Sequence, residues 1–256
     1  MANTEWGCHV CAILVVGGTG FLHGQTPPSA DQPISTDRPA VANSSVVVPQ
    51  GSFQAENGLA VTTTSAKNSF DFPETSLRFG VAEKTELRLS APDYFGNTPS
   101  GFGDMTIGVK QQLGPVKQFD VSVILFLSLP TGAAALSSHG YDPGLQVPWS
   151  RSLSTNWSIA GQLAVYGPTQ GSTRNVTGES TLLFDRQLTK RWDGFVEYAG
   201  DFPESGGPRH LLHFGSAYRP APSQQVDIHV GVGLSSAAVG HFIGVGYSFR
   251  FQLIPR

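Results

Sequence analysis

The stretch His241-Phe242-Ile243-Gly244-Val245-Gly246-Tyr247-Ser248-Phe249-Arg250-Phe251 decides the fold. Ile243, Val245, Tyr247, Phe249 and Phe251 occupy every second position, with Gly244, Gly246, Ser248 and Arg250 between them. Successive side chains of a strand point to opposite sides, so this period of two makes a strand with one apolar and one polar face. Residues 225–234 repeat it: Val226, Ile228, Val230, Val232 and Leu234 alternate with Asp227, His229, Gly231 and Gly233. In 156–166, Trp157, Ile159, Leu163 and Val165 oppose Asn156, Ser158, Gln162 and Tyr166. In 119–130, Val121, Val123, Leu125, Leu127 and Leu129 oppose Asp120, Ser122 and Ser128, with Ile124 and Phe126 interrupting the polar face. Shorter alternations surround Leu77-Phe79-Val81, Leu87-Leu89 and Met105-Ile107-Val109. No helical stripe competes with them beyond about residue 52.

Working outward, the connections are of two kinds. Tight polar turns are expected at Ala82-Glu83-Lys84, Ser154-Thr155-Asn156, Thr189-Lys190-Arg191 and Pro220 to Ser223. Longer Gly/Pro/Asn/Ser loops fall near 92–102, 131–143, 167–177 and 201–208. Charged residues are only 14% of the chain, against about 25% in an ordinary soluble domain. The polar faces carry glycine and small hydroxyls rather than Lys and Glu, and hydrophobic content is a moderate 39%, too low for a bundle of spanning helices. These features predict an all-β fold: a transmembrane antiparallel up-and-down β-barrel of about 12 strands with short periplasmic turns and longer extracellular loops. Closure also removes the sheet edges that lipid does not tolerate. Trp149, Trp157, Trp192, Tyr198, Tyr247, Phe249 and Phe251 are the candidates for aromatic girdles at the membrane interfaces. Pro148 lies inside a predicted strand and has no N–H to donate, so a bulge or register break is expected there.

The first residues read differently. Val10 to Val16 is an apolar run followed by small residues, of signal-peptide length and far short of the roughly 20 residues of a spanning helix. Residues 1–24 are therefore expected to be a signal peptide, 25–51 an irregular periplasmic lead-in or lumen plug, and 52–256 the barrel. The run Ala12 to Leu22 also has the look of a glycine-rich dinucleotide loop, but Gln25-Thr26-Pro27-Pro28 ends any helix after it. Cys8 and Cys11 are the only cysteines and have no second pair with which to hold zinc.

Ser35-Thr36-Asp37-Arg38-Pro39, Ser44 to Gly51 and Gln54-Ala55-Glu56-Asn57-Gly58 together resemble the outer-membrane barrel family named for the meta-pathway of phenol degradation. Further points of resemblance are Phe72-Pro73-Glu74, Leu77-Arg78-Phe79-Gly80, Glu86-Leu87-Arg88, Gly101-Phe102-Gly103-Asp104 with Gly108 and Lys110, and Leu129-Pro130-Thr131-Gly132. The resemblance implies a bacterial outer-membrane location and a role in moving small, in part aromatic, compounds. The last alternating strand is similar to the aromatic-ended final strand of many such barrels, which implies the outer-membrane barrel assembly machinery as a partner.

Arg78, Glu86, Arg88, Asp104, Lys110, Glu197, Asp227, His229 and Arg250 fall mostly on polar faces and are the candidates for a charged lumen constriction. The same residues would equally serve as a salt-bridged filling of a narrow barrel. His210 and His213 are three apart and point to opposite faces of a strand, so they do not form a joint metal site. Ser235, Ser236 and His241 lack a nucleophile motif. No cofactor is implied, and with a net charge of -3 and no basic run there is no nucleic-acid surface. The reading is a passive outer-membrane conduit for small solutes, hydrophobic or aromatic ones included, and not an enzyme. The alternatives are a closed structural or adhesive barrel and a membrane-embedded hydrolase. The solute and the oligomeric state are not legible.

Overall fold

A computed structural model of the chain describes residues 32–64, 68–96, 99–238 and 240–254. The expected signal peptide, both cysteines and the glycine-rich run before residue 31 lie outside the described residues. Twelve strands follow one another around a closed barrel: β1 (Ser52–Thr63), β2 (Ser76–Ala82), β3 (Thr85–Ser90), β4 (Met105–Val116), β5 (Phe119–Leu129) and β6 (Asp142–Ser152). The circuit continues through β7 (Trp157–Tyr166), β8 (Thr177–Thr189), β9 (Trp192–Pro203), β10 (Arg209–Ala221), β11 (Gln224–Gly233) and β12 (His241–Gln252). Each strand pairs antiparallel with its neighbours in sequence, and β12 closes on β1 from Ser52 opposite Gln252 to Thr63 opposite His241. No helix among the described residues is long and apolar enough to cross a membrane.

The four predicted turns lie at one end of the barrel, joined by a fifth at Lys117-Gln118 between β4 and β5, where Lys117 takes a left-handed φ of 60°. The long loops lie at the other end. There β1 changes partner. Its Phe53–Glu56 half pairs with β2, and its Ala60–Thr63 half pairs with a short strand, Asn68–Phe72. Tyr94–Gly96 and Gly101–Phe102 extend that strand sideways, so a separate patch of sheet stands at the loop end above the short strands β2 and β3. Pro148 corrects one expectation. The ladder between β5 and β6 is interrupted between Val121–Trp149 and Ile124–Gln146, yet the register is the same on both sides. The missing N–H removes bonds without adding a residue, so there is no bulge.

Alternation sorts the two faces in the reverse of a soluble protein. On β11, Val226, Ile228 and Val230 point outward with 39–49% of their surface exposed, while Gln225, Asp227 and His229 point inward at 7% or less. An apolar belt of this kind is stable against hydrocarbon and not against water. Ile124 and Phe126, the apolar interruptions of β5, face inward: Ile124 is buried, and the Phe126 ring lies over the bare backbone of Gly144. The belt is rimmed by aromatics at the turn end. Phe53 packs on Phe79 and Phe251 at 4.8 and 5.1 Å, and Phe119 meets Trp149 at 5.6 Å. Arg186 stacks over Trp157 and Arg151 over Phe119. Trp192 opens β9 beside Tyr218, and Tyr247, Phe249 and Phe251 run down the outer face of β12. Tyr198 stands apart: it lies midway along β9, where its hydroxyl bonds His210 Nδ1 at 2.7 Å.

Candidate functional site

Residues 32–51 have neither period, yet they are ordered by the barrel wall. The segment starts at the turn end, where Ile34 N donates to Pro222 O at 2.7 Å and Arg250 holds the Gln32 carbonyl. It then sweeps around the lumen from β11 towards β2. Arg38 reaches Asp227 and His229 on β11, and Glu197 on β9 accepts the amides of Val41 and Ala42, both at 2.8 Å. Asn43 bonds Gln162 on β7 and Gln146 on β6, and Ser45 bonds Ser150 on β6 at 2.7 Å. Val48 N donates to Glu86 on β3, and Gly51 N to Gly80 O on β2. A backbone outside any sheet must still satisfy its polar groups. Here wall carboxylates and amides do so, which explains why so many inward positions are Glu and Gln.

The densest part is centred on Arg78, which has no exposed surface. Its guanidinium donates to Glu86 through Nε and Nη2, both at 2.9 Å, to Glu56 at 2.8 Å, and to the carbonyls of Ser35 and Val46. Arg88 binds Asp37 at 2.6 Å and Glu86 at 3.0 Å, and Lys110 lies 3.5 Å from Asp37. Three cations thus interlock with three carboxylates, two from the wall and one from the inserted segment. Burial alone would raise the Asp37 carboxyl, but Arg78, Arg88 and Lys110 outweigh it and hold it well below the usual carboxylate range. Unpaired charges would be very costly in so dry a place. A second chain of bonds crosses the far side: Glu197 to His213 Nδ1 at 2.9 Å, His213 Nε2 to His229 Nδ1 at 3.0 Å, then His229 Nε2 to Arg38 at 3.3 Å. Arg38 also binds Glu74 at 2.5 Å.

Of the sequence candidates, Arg78, Glu86, Arg88 and Lys110 share the first cluster, Glu197, Asp227 and His229 the second, and Arg250 the turn-end mouth. Asp104 belongs to neither. It sits in the loop before β4 and accepts the amides of Gly132 and Ser138 at 2.9 and 2.8 Å. Partial burial pushes its carboxyl up, but those amides outweigh this and hold it below its ordinary value. Inspection of strand faces missed Asp37, Arg38, Glu56, Glu74 and His213. The signal for four of them was present in the quoted motifs: Asp37-Arg38, Glu56 and Glu74 lie in stretches up to 74 residues into the chain that all meet Arg78, Glu86 or one another in the lumen. Ser235 directs its hydroxyl to the Pro208 carbonyl and receives the His210 amide, so it is not engaged with an imidazole.

Below the inserted segment, on the β6–β10 side, lies a cavity of about 520 Å³. Ser154, Thr155, Asn156 and Lys190 of two turns ring its mouth. Its wall combines hydroxyls (Ser150, Ser152, Ser158), the apolar surfaces of Leu183, Phe195 and Ala217, and the charges of Asp185, Asp193 and Arg219. Its roof is the inserted segment at Ala42 and Asn43.

Comparison with solved structures returns outer-membrane barrels. An outer membrane channel from Pseudomonas putida F1 superposes with a TM-score of 0.60 at 14% identity, covering 80% of this chain and 97% of that one. The NanC porin matches with a TM-score of 0.57 at 11% identity over 77% of this chain and 98% of its own, and the KdgM porin with 0.57 at 10% over 78% and 99%. No curated protein sequence matches. One family pattern matches residues 36–251, which include all but the first few residues of the inserted segment and nearly the whole barrel. The chain therefore belongs to the family described as "Putative MetA-pathway of phenol degradation", and its fold is that of an outer-membrane β-barrel channel.

Proposed function

We propose that the chain is a passive conduit for small solutes across the outer membrane, in which residues 32–51 are the constriction. The observation that carries this reading is the cavity of about 520 Å³ inside a closed barrel, open between the turns and roofed by a segment held largely through side chains. Short turns of such barrels face the periplasm, so the cavity is a periplasmic vestibule. Its mixture of hydroxyls and apolar surface suits small hydroxylated aromatics, the kind of solute the family description names. Charged wall residues Arg78, Glu86, Arg88 and Lys110 hold the segment in place rather than touch the solute. The outward aromatics of β12 are the surface by which the assembly machinery would recognise the chain.

A second reading, a closed barrel with a structural role, is favoured by the interlocked Arg78 cluster. One experiment separates the two. Ser45→Cys with Ser150→Cys, in a chain whose Cys8 and Cys11 are Ser, places thiols where the hydroxyls are 2.7 Å apart. In planar bilayers the reduced protein is expected to show discrete conductance steps that vanish on oxidation and return with reductant. Silence in both states would establish the closed barrel, and equal conductance in both would show that the segment is not the moving part.

A further inference from the structure

We propose that the solute path runs along the β6–β8 wall, and that Glu179, next to the Asn43–Gln162 amide contact, makes that path prefer cations and neutral molecules over anions. This rests on the conduit reading above and assigns its selectivity.

The two halves of the lumen are built differently. On the β2–β4 side the inserted segment is tied down by carboxylate–guanidinium contacts around Arg78 and Arg88. On the β6–β7 side its contacts with the wall are neutral: Asn43 Nδ2 donates to Gln162 at 2.8 Å and to Gln146 at 3.2 Å, and Ser45 meets Ser150, while Asn43 Oδ1 is drawn the other way by Arg88 on β3 at 2.9 Å. Charge-assisted hydrogen bonds are roughly twice as strong as neutral ones. The segment therefore parts from the β6–β7 wall first.

The barrier at that wall is thin. The cavity reaches up to Ala42 and Asn43. Beyond them Gln162 is 1% exposed, whereas Gln146 and Glu179, its neighbours towards the loop end, are only half-buried. The Asn43–Gln162 contact thus lies between the vestibule and the half-buried Gln146 and Glu179, and its rotation exchanges the bond from Arg88 to Asn43 at 2.9 Å and that from Gln162 to Glu179 at 2.7 Å for water.

The charge at this contact is negative. Glu179 accepts a bond from Gln162 Nε2 at 2.7 Å and stands directly opposite Asp201 on β9. Asp201 is paired with Arg209 at 3.2 Å, but among the described residues no Lys or Arg forms an ion pair with Glu179. Asp185, six residues further along β8 in the cavity wall, likewise forms no ion pair among the described residues. Like charges directly opposite on a sheet are destabilising. Placed beside the Asn43–Gln162 contact, the unneutralised carboxylate attracts a passing cation and repels an anion.

The test is the reversal potential of the whole protein, purified from outer membranes, in planar bilayers across a potassium chloride gradient. The native chain is expected to favour potassium. Glu179→Gln is expected to lower the potassium-to-chloride permeability ratio about sixteenfold, because one charge at about 5 Å in a water-like dielectric changes the permeability of each ion about fourfold and in opposite directions. Gln162→Ala is expected to raise conductance and keep the cation preference. Asp185→Asn, farther from the amide contact, lowers the ratio less and serves if Glu179→Gln does not give the heat-modifiable band of a folded barrel. Chloride preference, or a ratio unmoved in both folded carboxylate variants, would overturn this inference and leave the conduit standing. Absence of conductance in every variant, Gln162→Ala included, would overturn the conduit reading and this inference together.

Discussion

Replacing Arg78 by Ala removes the donor that joins two wall strands to the inserted segment. Three of its hydrogen bonds end on carboxylate oxygens of Glu56 and Glu86. At about 1.5–3 kcal/mol for a bond to a charged group, they would total about 4.5–9 kcal/mol if independent. They are not independent, because Arg88 and Lys110 remain beside Glu86 and a stranded carboxylate can take up a proton. Removing one partner of a buried pair typically costs about 3–5 kcal/mol, and that is the loss expected here. The assay is denaturant unfolding of the barrel in lipid vesicles, followed by tryptophan fluorescence, with the native and variant slopes compared. Arg78→Lys should fall between native and Ala, since it keeps the charge and loses the planar fork. Protease added from the turn side should cut residues 32–51 in the Ala variant before it cuts the barrel. A stability loss below about 1 kcal/mol with the segment still protected would refute the view that this cluster anchors the segment.

Gly80→Ala should detach the descending end of the segment, because a Cβ there would stand 2.1 Å from the Pro49 carbonyl oxygen; loss of protease protection near Gln50 with the barrel still folded is the expected result. For Asp37, whose folded carboxyl lies far below its ordinary value of 3.8, the stabilisation is complete above about pH 4 and is lost only as pH falls further, so unfolding midpoints measured from pH 7 to 5 should show no loss from this group. Asp93, in the loop after β3, has the opposite sign: burial first, then the nearby Glu74, push it up to about 6. Its contribution is present below 3.8 and is lost as pH rises through 6, so the protection of residues 91–96 against hydrogen exchange, corrected for the intrinsic pH dependence of exchange, should fall between about pH 4 and 6, and Asp93→Asn should abolish that fall. Trp157 and Trp192, exposed at the turn-end rim, should be quenched by lipids brominated near the headgroup and much less by lipids brominated at the chain terminus.

The sequence by itself determined the wall. A period of two is a property of each strand alone, so β11 and β12 could be read one residue at a time, and the tight turns at Glu83-Lys84 and Lys190-Arg191 followed from the gaps between them. Inward and outward faces came with the same alternation, which is why eight of the nine charged candidates do sit in the lumen or at its mouth. The ninth, Asp104, failed because alternation says nothing about where a strand begins; one residue before β4 its side chain serves the loop. Pro148 showed the same limit, since a missing N–H predicts a lost bond but not whether the register moves. Only the tertiary structure placed residues 32–51. Their backbone is satisfied by Glu56, Glu197 and Glu86, between 18 and 156 residues away in sequence, and no local pattern records so distant a partner. The amide contact of Asn43 with Gln162 is of the same kind: each residue is unremarkable in its own strand or segment, and the two meet because the barrel closes around the segment that lies between them and the opposite wall.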